Sequence, residues 1–77
     1  MSKLTTIFST VLRIPEDKIV GELSPENTSS WDSLNAIILM TEIEKAYGVT
    51  FNYDEVMDVK NFAGVQALMR TKGITDV

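Results

Sequence analysis

From Ser33 to Tyr47 the chain carries apolar residues on two faces of one helical period, which limits the possible folds more than any other feature. At about 100° per residue, Ala36, Leu39, Met40, Ile43, Ala46 and Tyr47 gather on one side of a helix. Leu34, Ile37, Ile38, Thr41 and Lys45 fall largely on the opposite side, with Glu42 and Glu44 on the shoulders. The first stripe can build a core. The second has no evident core to enter, and an exposed apolar cluster rimmed by acids is what a docking surface looks like. Burial of the helix on all sides is the competing reading, and the charges of Glu42, Glu44 and Lys45 weigh against it.

The start of this helix is marked by Ser30-Trp31-Asp32-Ser33-Leu34. Asp32 suits an N-cap, because its carboxylate can accept from the free N–H groups of the next turn and its charge matches the positive end of the dipole. Trp31 precedes the cap and is placed to staple the incoming loop, against an opposing Ala36. Ser33 then lies beside free backbone donors, where a phosphate is tolerated. Gly48 supplies a left-handed terminator.

Ahead of this element, Leu4, Ile7, Phe8, Val11 and Leu12 follow the amphipathic template, with Ser2 as a cap. This first helix ends near Arg13, because Pro15 biases Ile14 away from helical geometry. The long connection to Trp31 has only Ile19, Val20 and Leu23 as aliphatic anchors, at least some of which are expected to tuck against the core. Loops of this length in small domains are more often functional than idle, and this one is expected to cross the bundle and deliver Ser33 to one end.

Beyond Gly48, Val49 to Tyr53 alternates, yet nothing else would pair with it as a strand, so an extended connector that buries Phe51 is expected. Asn52 and Glu55 have capping-box spacing, which predicts a short helical turn over Tyr53 to Met57. Asp54, Glu55 and Asp58 lack the alternating ligands and turn glycine of a calcium loop and read as acidic surface; no metal site is expected. A last helix starts near Asn61 with Phe62, Val65, Leu68 and Met69 inward, stopping at Gly73, and Gly64 could admit a close neighbour. Ile74 to Val77 reads as a loose tail. The prediction is an all-α fold: one domain over residues 1–77, a small bundle of three main helices plus a short helical turn, with a long loop between the first and second helices.

The chain has no histidine and no cysteine, so the commonest general base, the commonest transition-metal ligands and any disulfide are excluded. A serine hydrolase using Ser33 would have no histidine base, and no catalytic residue is assigned. No stretch approaches membrane-spanning length and no secretory signal is evident, which makes a cytoplasmic protein the default. Asn27-Thr28-Ser29, a glycosylation sequon, therefore reads as a chance match. Between Glu16 and Asp58 ten acidic residues face only Lys18 and Lys45, whereas each flank is net positive. This acidic middle attracts basic partner proteins and repels nucleic acid.

The sequence resembles the acyl carrier protein family over nearly its whole length. The resemblance rests on Arg13-Ile14-Pro15-Glu16-Asp17, Leu23-Ser24-Pro25, Asp32-Ser33-Leu34, Ile43-Glu44-Lys45-Ala46-Tyr47-Gly48 and the terminal helix around Phe62 to Lys72. It implies that Ser33 takes a 4′-phosphopantetheine arm from coenzyme A by way of a separate phosphopantetheinyl transferase. The arm would hold an acyl or aminoacyl group as a thioester and pass it between loading and transferring enzymes with basic docking surfaces. On this resemblance Asp32 caps the helix beside the phosphodiester, Leu34, Ile37 and Ile38 form the gripped patch, and Glu42 and Glu44 meet basic partner residues. A monomer is expected. The family commonly has glycine where Trp31 stands and an acid where Asn35 stands, and Ile38 and Thr41 also depart from the pattern. These departures point to a discrete carrier of a specialised pathway, such as polyketide, peptide or sugar-modifying assembly, and away from housekeeping fatty acid synthesis. Whether cargo folds back beside Met40, Met57 and Met69 stays open, with ordinary core filling the alternative. The competing functional reading is a helical interaction module that carries no prosthetic group and docks through Leu34, Ile37 and Ile38.

Overall fold

A computed structural model describes residues 2–77. The elements are α1 (Lys3–Leu12), a 3-10 turn (Glu16–Lys18), α2 (Ser33–Tyr47), α3 (Tyr53–Asp58) and α4 (Phe62–Thr71), with no strand among the described residues. The all-helical expectation holds, including the single short turn between the second and last main helices.

Each boundary has a local cause. Ser2 Oγ accepts the Thr5 N–H at 3.1 Å and opens α1. Arg13 closes it in the left-handed region at φ 60°, a conformation costing a non-glycine residue roughly 1 kcal/mol. The turn is held by Ser9, whose carbonyl accepts from Ile14 N–H at 3.3 Å and whose hydroxyl donates to the Ile14 carbonyl at 2.6 Å. Asp32 and Asn61 cap α2 and α4 in the same way as Ser2, and Gly48 at φ 67° ends α2. In α3 both halves of the capping box form: the Glu55 N–H donates to Asn52 Oδ1 at 2.9 Å and the Asn52 N–H to Glu55 Oε1 at 3.0 Å.

The core is centred on Phe8, whose ring meets Trp31 edge-on at 5.2 Å and Phe62 edge-on at 4.8 Å between centroids. Leu4, Leu12, Leu39, Ile43, Val65 and Met69 are fully buried around it. The long loop supplies Ile19 and Leu23, while Val20 stays out at 47% exposure. The loop is also tied to α4 through backbone: the Phe62 and Ala63 N–H groups, which have no partner within their own helix, donate to the Leu23 and Gly21 carbonyls at 2.8 and 3.1 Å.

Trp31, placed by the sequence to staple the incoming loop, is buried against the Phe8 edge, and Ala36 packs on the same apolar cluster. One expectation is corrected. The C-terminal segment is docked: Ile74 N–H donates to the Met69 carbonyl, Gln66 Nε2 to the Val77 carbonyl, and both Ile74 and Val77 pack against the core. At Gly64 a Cβ would meet Asn61 Oδ1, its own helix cap, at 3.4 Å and Val59, the C-cap of α3, at 4.0 Å. The Asn27 amide of the sequon is used internally, accepting from Ser24 N–H and donating to the Glu22 carbonyl.

Phe8→Ala should cost about 3–5 kcal/mol by urea unfolding, since it empties the point where three elements meet. The Glu55 carboxyl is held below the usual range by the Asn52 N–H and then by Lys72. Its contribution to stability is therefore present above the unfolded-state value and lost as pH falls through the lower folded value. An NMR titration should show a depressed Glu55 midpoint that rises only in part in Lys72→Met, because the Asn52 N–H remains.

Candidate functional site

The site is built by the capped start of α2. Asp32 Oδ1 accepts the Asn35 N–H at 2.8 Å and the Asp32 carbonyl accepts the Ala36 N–H at 2.9 Å. The N–H groups of Ser33 and Leu34 precede the first intrahelical acceptors, as at any helix start. Ser33 itself is exposed. The preceding loop is fixed from two directions: the Trp31 ring is held in the core, and Asn35 Nδ2 donates to the Ser30 carbonyl at 2.7 Å. This second use of Asn35 was not legible in the sequence, where the residue stood out only for its lack of charge. An acid at that position would place an acceptor against the carbonyl.

The two-faced pattern of α2 resolves as expected. Leu39, Met40 and Ile43 are buried, while Leu34, Ile37 and Ile38 are exposed at 67, 64 and 38%. Thr41 and Lys45 share the exposed face. The two shoulder acids differ: Glu42 lies 3.8 Å from Lys45 in a solvent-exposed pair, but Glu44 Oε2 accepts the Phe51 N–H at 2.8 Å. Glu44 thus fastens the chain's own connector as well as carrying charge.

A groove of about 850 Å³ starts at Asp32 and Ser33 and runs between α2 and α3, with Ile37 and Met40 on one wall and Val56 and Met57 on the other. Of the three methionines grouped in the sequence, Met40 and Met57 line it, and Met69 lies fully buried in the core.

A family model described as a phosphopantetheine attachment site matches residues 2–68. The chain belongs to the phosphopantetheine-binding carrier family. The fold of this carrier agrees with a solved structure described as an acyl carrier protein from Mycobacterium tuberculosis, at a TM-score of 0.79 and 17% identity, over 90% of this chain and 92% of that one. No curated protein matches it. The family attaches 4′-phosphopantetheine covalently to a serine and is not itself catalytic. The carrier's geometry fits such an arm: an exposed hydroxyl at a helix start, backed by free N–H groups, opens on a groove lined mainly by apolar side chains.

Asp32→Ala should lower stability by about 0.5–2 kcal/mol in denaturant unfolding, and Asp32→Asn by far less, because asparagine caps a helix about as well as aspartate.

Proposed function

We propose that Ser33 is the attachment serine and that residues 1–77 form one carrier unit that passes apolar acyl intermediates between the enzymes of a specialised pathway. The observation that carries this reading is the exposed Ser33 hydroxyl at the mouth of the groove between α2 and α3. When attached, the arm supplies a terminal thiol that holds cargo as a thioester, a sulfur this cysteine-free chain does not have itself.

The chain's own residues divide the remaining work. Asp32 fixes the first turn of α2 and so the direction of the Ser33 hydroxyl, and it lies beside the phosphodiester position. The proton on Ser33 Oγ is removed by the phosphopantetheinyl transferase, since this chain has no histidine for the purpose. Among the residues lining the groove Asp32 alone is charged, and it stands at the mouth. The interior therefore suits an acyl chain better than an ammonium-bearing aminoacyl group, whose charge would meet no buried counter-ion.

Leu34, Ile37 and Ile38 form the patch that partner enzymes grip, and Glu42 supplies charge at its rim. Glu44 adds to the same negative field, though its carboxylate is engaged by Phe51. Partners with basic docking surfaces fit this face. No helix of the described residues is long and apolar enough to cross a membrane. The carrier is read as a cytoplasmic monomer.

Incubation with coenzyme A, magnesium and a broad-specificity transferase should add one phosphopantetheine by intact mass, mapped to Ser33. Ser33→Ala should abolish the gain while changing unfolding free energy by no more than about 0.5 kcal/mol. A folded wild-type chain that gains nothing from several transferases would overturn the reading.

A further inference from the structure

The outer wall of the groove is formed by α3 and the connector before it. Helix α3 has no buried residue. Its polar attachments to other elements lie at its N-terminal end: Phe51 N–H donates to Glu44 Oε2, and Lys72 Nζ donates to both Glu55 oxygens at 2.9 and 3.1 Å. The same ammonium stands 5.4 Å from the centre of the Phe51 ring. The Lys72 and Glu55 side chains are only 22 and 28% exposed, against 71 and 46% for the Lys45–Glu42 pair, so water screens the first pair less. Towards the other end of α3, Met57 is 56% exposed, and Val56 and Val59 hold the helix by apolar packing against the core.

We propose that Lys72, reaching back from the end of α4 to Glu55 and the Phe51 ring, sets the position of α3 and thereby the length of cargo the groove retains. Apolar contact of Val56 and Val59 holds the rest of α3, so loss of the Lys72 tie loosens the wall first where Phe51 and the start of α3 line the groove. Lys72 does not itself line the groove; it stands over the ring of Phe51, which does, so it is a positioning residue acting through Phe51 and Glu55. This rests on the reading that Ser33 bears a cargo-carrying arm.

The test compares wild type with Lys72→Met, which keeps an apolar stem and removes the ammonium, and with Glu55→Gln, which keeps an acceptor for the Asn52 N–H. In the unmodified chains, amide exchange over residues 53–58 should quicken by about two- to fivefold in both variants, with α1 and α2 amides unchanged. The chains are then loaded at Ser33 with acetyl or octanoyl phosphopantetheine, and thioester cleavage by hydroxylamine is timed. Wild-type octanoyl should cleave more slowly than acetyl, and both variants should bring the two rates together. Equal rates in the wild type would overturn the cargo-in-groove reading, and the clamp with it. Octanoyl protected equally in wild type and variants would overturn the clamp alone, as would unchanged exchange in α3.

Discussion

The edge-on contacts of Phe8 with Trp31 and Phe62 are the interaction on which the other parts of the molecule depend. Phe8 belongs to α1, Trp31 to the end of the long loop and Phe62 to the first turn of α4, so one ring draws together three stretches far apart in sequence. In 77 residues without a disulfide, few other contacts could close a loop of that length. Edge-on packing also fixes ring orientation, because the positive ring edge is attracted to the negative face. The position of Trp31 then sets that of its neighbours. Asp32 arrives at the helix start as a cap, and Ser33 follows it facing solvent.

Polar ties complete this placement. The Ser30 carbonyl is held by Asn35 and the Leu23 and Gly21 carbonyls by α4, so the loop's backbone groups find partners without a sheet. A loop secured in this way can be long and still hold its last residue in register with α2. The exposed face of α2 can then stay apolar, since it adds little to stability. Its acidic surroundings favour approach by basic proteins over contact with another copy of the same charge.

The groove reflects an uneven division of packing. Helices α1, α2 and α4 share the buried apolar residues, while α3 contributes none. Half-buried Val56 and Val59 and the carboxylate fasteners hold α3 at a distance from α2. The polar ties of this wall lie at its N-terminal end, and apolar contact holds the rest.

Periodicity and caps made much of this legible in the sequence. The α2 stripe, the Asp32 cap, the Asn52–Glu55 box and the Gly48 stop are interactions among residues within a few positions of each other, so their spacing alone specifies them. The Asp32-Ser33-Leu34 signature, set between the matching helices, likewise pointed to the carrier family. What lay beyond the sequence was every contact between distant segments. Trp31 entered the core because Phe8 stood opposite, Ile74 and Val77 docked because Met69 and Gln66 offered partners, and Glu44 turned from a surface acid into a fastener of Phe51. Lys72 looked like a charge suited to a helix end, and only the folded chain brought it to Glu55. Local hydrogen bonds and side-chain period are written in nearest neighbours; the destination of a side chain depends on which distant surface the closed loop brings to it, and tertiary packing alone decides that.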